Sequence, residues 1–348
     1  MRELFFSSNE KILIIAPHPD DECIGPGGIL IKYGTQCDII VLTDGRQGQG
    51  DILPEEEKKI RKQEFMEEMH LLNINSYNML EIEDGTLVTH LDCLNGLDLN
   101  NYNKIFVTGI NDEHIDHKAA FLCVEEWIKN NKSDFIPAVY TYEVHTPLSC
   151  PTHFLDVTDC LDKKIALVNC HKSQNKELPY NLLVEQSAMY RAILHRMPLK
   201  KIEVYEEIDI KNYEKNAISN NEIELQKEKL LRWSLNRWVE RLVDGDLISN
   251  WFNKNGIKRV YVFGYGVLGK LLIKELAVEG IEIAAIIDRR AEQFRNTKIN
   301  IIKLNEITES VPIIVTAIFE YSTIEKTIKS YGKNKVYSLR RILEENGD

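Results

Sequence analysis

The stretch Pro17-His18-Pro19-Asp20-Asp21-Glu22 crowds one imidazole and three carboxylates into a single turn. It follows the apolar run Ile12-Leu13-Ile14-Ile15, which reads as a buried parallel strand. The turn therefore stands at the carboxyl edge of a sheet, where open α/β sheets bind ligands. Pro19 fixes its own φ and removes an amide hydrogen, so the turn is stiff. Three acids held together repel one another and lose solvation. A divalent cation converts that cost into attraction. A second cluster, His114-Ile115-Asp116-His117, follows the apolar run Ile105-Phe106-Val107 and precedes a helix expected from about Lys118. Taken singly, the first cluster could be a capped helix start and the second a solvated loop. Two such clusters at strand ends can converge on one sheet edge. They then supply His, Asp and His, a nitrogen and oxygen set suited to zinc with an open coordination position and also to non-haem Fe(II).

These residues resemble the PIG-L/LmbE-like zinc-dependent de-N-acetylases, whose pattern is a PHPDDE turn followed by an HxDH segment. The resemblance implies that His18, Asp21 and His117 bind zinc. It further implies that Asp20 is the general base, that His114 stabilises the tetrahedral intermediate and that Asp116 supports a ligand from behind. Other matches extend over the first part of the chain. Thr43-Asp44-Gly45 corresponds to a T-x-G turn, Arg61 and Glu64 to an R-x-x-E pair, Asp84-Gly85 to a D-G element, and His171-Lys172-Ser173-Gln174 to an H-x-S-Q element. The resemblance makes Arg61, Asp84 and His171 substrate-binding candidates, although a surface histidine on a helix is the plainer reading of His171. Ile115 stands where many members have proline, which leaves the ligand set untouched. The implied activity is removal of an acetyl group from an N-acetylglucosamine-type sugar.

The chemistry of the side chains agrees. Amide hydrolysis needs a nucleophile, a polarised carbonyl and a protonated leaving amine. Zinc with three protein ligands brings the pKa of water toward neutrality. Asp20 can accept the water's proton, and two neighbouring acids on one turn can divide the roles of base and ligand. A protonated His114 could bond a developing oxyanion or protonate the amine. Asp116 is placed to hold a histidine's second ring nitrogen.

The 348 residues carry a net charge of −11, and no basic stretch is interleaved with aromatics, so nucleic acid is excluded as a partner. No apolar run reaches the length of a membrane span, and the amino-terminal apolar run is too short for a signal peptide. Seven cysteines without CxxC spacing read as reduced thiols of a cytoplasmic protein. Cys23 reads as a core filler. Alternating strand and helix patterns, including a helix opened by Pro54 and running to about Leu72, indicate a mainly parallel Rossmann-like sheet with helices on both faces. The expected organisation is a deacetylase domain over 1–212, a helical linker over 213–254 and a smaller Rossmann-like α/β domain over 255–348. Within the linker, 213–221 reads as a polar connector and Glu222 to Phe252 as helix. Leu231, Leu235, Trp238 and Leu242 fall on one helical face, suited to packing between domains or to a homo-oligomer interface.

The last domain carries its own motif. The strand Arg259 to Phe263 runs into Gly264-Tyr265-Gly266-Val267-Leu268-Gly269 and a helix from Lys270 to Val278. A second strand, from Ile281 to Ile287, ends at Asp288. This is G-x-G-x-x-G in its strand–turn–helix setting. Gly264, Gly266 and Gly269 suit a phosphate, and Asp288 suits a ribose hydroxyl. Three readings stand: binding of a nucleotide, with a nucleotide-sugar favoured; a structural or oligomerising module; and, as an alternative function, an NAD(P)-dependent oxidoreductase or nucleotide sensor. With fewer than a hundred residues, the expectation is only part of a Rossmann sheet and no hydride-transfer site.

Overall fold

The computed structural model describes residues 1–48, 52–131, 135–176, 178–210, 220–294, 300–332 and 334–345. The chain divides into two compact units, Met1–Ser219 and Asn220–Asp348. Most of the connector expected over 213–221 lies outside the described residues.

The first unit is built on eight strands: β1 (Arg2–Glu3), β2 (Ile12–Ala16), β3 (Cys37–Thr43), β4 (Ser76–Ile82), β5 (Lys104–Thr108), β6 (Ala138–Tyr142), β7 (His153–Asp156) and β8 (Ile202–Ile208). Their spatial order is β1-β7-β8-β6-β5-β2-β3-β4. All neighbours run parallel except β8, which is antiparallel to both β6 and β7. The sheet is thus mainly parallel, as its alternating pattern indicates. Every residue of β2 is buried, which is why it reads as a continuous apolar run instead of alternating. β2 pairs with β3 on one side and β5 on the other, and β3 pairs with β4. Because these four strands are parallel, the segments that leave their carboxyl ends gather at one edge. Those segments carry His18 to Glu22, Asp44, Asp84, and Asp112 to His117.

The helix expected from Pro54 spans Pro54–Leu71, with proline in its first turn and Glu55, Glu56 and Glu57 beside it. Its buried face includes Glu57, Arg61, Glu64 and Glu68, so charged groups enter the interior together with Phe65 and Met69. The helix after β5 begins at Ile115, earlier than the expected Lys118, with His114 as its N-cap. His114-Ile115-Asp116-His117 is therefore the cap and first turn of a helix, not a loop ahead of one.

The second unit holds a five-stranded, all-parallel sheet of β9 (Arg259–Phe263), β10 (Glu282–Ile287), β11 (Ile301–Ile302), β12 (Ile313–Val315) and β13 (Val336–Ser338), in the order β11-β10-β9-β12-β13. Tyr261, Phe263, Ala285, Ile287, Ile313 and Val315 form its core with Ile324 and Ile328. The helical stretch expected from Glu222 to Phe252 is two helices, Asn220–Val243 and Ile248–Lys254. The break falls at Gly245, whose φ of 75° no helix continues. These helices lie within the second unit. Arg241 donates to the carbonyls of Ile342 and Glu345, and Trp238 Nε1 donates to Glu275. The buried stripe of the longer helix is Gln226, Leu230, Ser234, Trp238 and Arg241, whereas Leu242 is exposed. The apolar face drawn through Leu231, Leu235 and Leu242 is rotated from it by about one residue.

Candidate active site

The end of β2 is tied to the end of β3: Thr43 donates to the Pro17 carbonyl from its backbone N–H at 2.9 Å and from its hydroxyl at 2.8 Å. Beyond Pro19, Asp20 has a φ of 137°, a backbone conformation that a residue with a Cβ adopts at a cost of about 1–3 kcal/mol. Such strain persists only where the surroundings over-determine it. Here Arg61 grips the turn, donating from Nη2 to the Pro19 carbonyl at 2.6 Å and pairing with Asp20 Oδ2 at 2.9 Å. A short helix, Asp21–Ile24, follows.

Asp21 Oδ2 is the centre of the arrangement. It accepts the backbone N–H of His18 at 2.9 Å. It also lies 3.3 Å from His18 Nδ1 and 3.3 Å from His117 Nε2. Each imidazole turns its other nitrogen to a different acid. His18 Nε2 is 3.2 Å from Asp84 Oδ1 and 3.6 Å from Asp116 Oδ2, and His117 Nδ1 is 3.3 Å from Asp112 Oδ1. These acids are themselves anchored. Asp84 accepts the Gln47 amide, Asp116 accepts those of Gly85 and Leu87, and Asp112 accepts that of His114. Asp20, Asp21, Asp84, Asp112, Asp116, His18 and His117 are all buried.

Two of the three donor spacings that a metal on His18, Asp21 and His117 would need are present. For ligand distances of about 2.0–2.1 Å, ligand atoms on a tetrahedral ion lie about 3.3–3.4 Å apart. The two spacings about Asp21 Oδ2 have that length. Neither ring nitrogen of the buried His117 has an aligned hydrogen bond, although carboxylates face both, so the contacts suit coordination better than proton sharing. The acids behind each imidazole are the partners that metal-binding histidines use to fix tautomer and orientation. Two other donor sets share His18: His18, His114 and His117 bring one ring nitrogen each within 4.8 Å of the others, and His18, Asp84 and Asp116 bring one ligand atom each within the same distance. His114 Nδ1, however, accepts the Asp116 amide as a helix cap.

The electrostatics separate the two neighbouring acids. Burial would raise Asp21, but the His117 and His18 imidazoles overcome it and hold its carboxyl well below the usual range. Asp20 is pushed up to about 7, by burial first and by the Asp21 charge, against the pull of Arg61. His114 is held well below its ordinary value by burial and by the charges of His18 and His117. A neutral His114 whose Nδ1 accepts a hydrogen bond carries its proton on Nε2.

Residues 13–128 match the family model for PIG-L, GlcNAc-PI de-N-acetylase. That part of the chain is a PIG-L domain. A diacetylchitobiose deacetylase of Thermococcus kodakarensis is 28% identical over 49% of this chain and 73% of its own length. Among solved structures, an N,N'-diacetylchitobiose deacetylase of Pyrococcus horikoshii, determined with an inhibitor, aligns at 21% identity and a TM-score of 0.47. That alignment covers 61% of this chain and 88% of that one. A conserved protein of Thermus thermophilus aligns at 20% identity and a TM-score of 0.46, over 60% of this chain and 100% of that one. No helix among the described residues is long and apolar enough to cross a membrane.

The PIG-L domain holds His18, Asp20, Asp21, Arg61, Asp84, His114, Asp116 and His117, and the fold brings all of them to one edge. Two of them, together with His171 from beyond it, have charged partners within the protein. Arg61 and Asp84 are turned inward, to Asp20 and His18 respectively, instead of presenting free polar ends. His171, expected at the substrate, is 1% exposed and sits behind the turn, 2.9 Å from Glu68 Oε2 and 4.0 Å from Glu22 Oε1. It is not a surface histidine either. Burial and the Arg61 charge hold its pKa down to about 3. Glu22, Cys23, Glu68 and His171 form a buried cluster there, and Ser173, two residues on, donates twice to Glu64.

Two residues escaped the sequence reading. Asp112 backs His117 from the loop after β5, and the only sign of it was its place two residues before His114. His145 follows β6 and stacks on His117, with ring centroids 4.9 Å apart. It is exposed beside otherwise buried groups, and no motif marks it.

Proposed function

We propose that this protein is a zinc-dependent hydrolase that removes the N-acetyl group from an N-acetylated amino sugar. The sugar is free, nucleotide-linked, or carried on a glycan or lipid of a surface-polysaccharide or glycoconjugate pathway, and the protein works in the cytoplasm. The observation that carries this reading is Asp21 Oδ2 set 3.3 Å from a nitrogen of each of His18 and His117, with the strained Asp20 beside it. The PIG-L domain and the deacetylase relative support the same chemistry.

His18, Asp21 and His117 would hold the metal, and Fe(II) is the competing ion. When bound, the metal supplies Lewis acidity, which acidifies water and polarises a carbonyl. The remaining work belongs to the chain. Asp20 takes the proton of the attacking water, and Arg61 fixes its carboxylate. His114 offers an Nε2–H to the oxygen of the carbonyl as negative charge develops there. The C–N bond breaks, water's oxygen joins the acetyl carbon to give acetate, and the amine leaves with a proton returned through Asp20. Asp84, Asp112 and Asp116 orient the ligands. His171 and Glu68 brace the turn from behind.

The test is acetate release by the zinc-loaded full chain from N-acetylglucosamine, its short oligomers and UDP-N-acetylglucosamine. Release that a chelator stops and zinc restores is the expected result. No release from any N-acetyl sugar, with metal at full occupancy, overturns the reading.

Asp84 separates support of the metal from contact with sugar. Its carboxylate faces His18 Nε2. Asp84→Ala should therefore weaken zinc binding on the order of ten- to a hundredfold, the usual effect of losing such a partner. Competition with a chromophoric chelator measures it. Unchanged metal affinity with a raised KM would return Asp84 to the sugar.

A further inference from the structure

The second unit has a cleft of about 520 Å³ at the carboxyl edge of its sheet. Numbered within that sheet, the strand order is third, second, first, fourth, fifth. Chain order reverses beside β9, and open parallel sheets bind ligands at such a reversal. The cleft is lined from the segments after β9, β10 and β12, together with Lys227 and Leu231 of the helix Asn220–Val243. The sheet is thus more complete than the partial one expected from the domain's length.

The three glycines of the turn stand there for different reasons. Gly264 has a φ of 101°, which disfavours any side chain. A Cβ on Gly269 would lie 2.0 Å from the Gly264 carbonyl oxygen, so helix and strand could not pack as they do. The fold requires both. Gly266 is different. Its φ of −80° suits any residue, and a Cβ built on it meets nothing within 4 Å. Glycine is a tolerated helix N-cap but brings no side-chain acceptor, as Ser, Asp and Asn would, and the helix Val267–Val278 opens without a side-chain cap. The protein leaves bare backbone and open amides facing a cleft where its own packing asks for neither. A phosphate needs both.

The other walls match the rest of a nucleotide. Asp288 ends β10 and is aimed by two backbone N–H groups, accepting from Tyr265 at 2.9 Å and from Arg290 at 2.8 Å. A carboxylate offers about four acceptor sites, and its remaining contacts come from the exposed Arg290 side chain. Three cations, Lys227, Arg289 and Arg290, line the cleft with two acids, Asp288 and Glu320, which pair with Arg290 and Arg289 respectively, and Leu231, Ile318 and Phe319 give it an apolar side. We propose that this cleft binds a nucleoside diphosphate group. Its phosphates lie on the Gly264–Gly269 turn, its ribose diol on Asp288 and its base against the apolar side.

The glycine that the fold does not need makes the test clean. Gly266→Asp places a favoured capping residue at the helix start, so thermal stability should hold or rise. The same carboxylate fills the phosphate position and repels it, so affinity should fall at least about tenfold. Gly266→Ala adds the Cβ, gives up a little cap stability and serves as the milder variant for affinity. Calorimetry on the full chain with UDP, UDP-N-acetylglucosamine, ADP and NAD⁺ reads the result. Binding of any of these, lost in Gly266→Asp at unchanged melting temperature, supports the site, and the tightest ligand identifies its source. The proposal is overturned by no binding of all four at millimolar concentration, or by binding that neither variant weakens.

Discussion

Asp20→Asn should keep the metal and lose on the order of a hundredfold or more in turnover, the usual scale for removing a general base. The substitution keeps the shape of the side chain and an oxygen for Arg61, so the turn should stay as it is. What disappears is the capacity to accept a proton. The environment of Asp20 suits that task. Burial and the Asp21 charge push its carboxyl up to about 7, while Asp21, between two imidazoles, stays ionised. Adjacent acids with opposite shifts divide naturally into a base and a ligand. The measurement pairs steady-state turnover with metal content on one preparation. If metal falls in step with activity, Asp20 is the ligand and the two acids exchange roles.

The site was legible in the sequence where a strand and a polar motif adjoin. The run Ile12–Ile15 announces a buried strand, and a ligand edge accounts for a histidine and three acids directly after it. The partners of those residues were harder to read because they contradict hydropathy. On the helix Pro54–Leu71 the buried face holds Glu57, Arg61, Glu64 and Glu68. A periodicity reading assigns such residues to solvent. Their interior positions follow from polar partners elsewhere in the chain: Asp20 for Arg61, Ser173 for Glu64, His171 for Glu68. The rotated stripe of the helix Asn220–Val243 has the same origin, since Gln226, Ser234 and Arg241 are buried on it. Arg241 is there because it closes the open carbonyls of a later helix end, at Ile342 and Glu345. Pairings over such separations leave no local trace. Asp112 and His145 were missed likewise, each lying on a loop whose position only the assembled sheet reveals.

The same contrast divides the cluster into two layers with different duties. The inner groups have atoms facing one another at ligand spacing. The outer groups, Asp84, Asp112 and Asp116, each hold an imidazole while being held by backbone amides. An amide anchor costs little to keep and positions a carboxylate without lending it a competing charge. The ring nitrogens are thus fixed before any ion arrives, which lowers the reorganisation that binding demands.

Removing one inner ligand should therefore be decisive. The wild-type chain should carry about one ion, and His117→Ala should lose most of it, because three protein ligands are the minimum that such sites use. His114→Ala should keep the metal and lose activity, because its Nδ1 is already engaged by the Asp116 amide. The pair of variants chooses between two of the donor sets in reach, His18 and His117 with either Asp21 or His114. Elemental analysis after dialysis against a weak chelator gives the occupancy, and a melting curve shows that each variant is folded. Full occupancy in His117→Ala would remove His117 from the metal altogether. Metal lost in His114→Ala but retained in Asp21→Asn would make the centre a three-histidine site and free Asp21 to serve as the base.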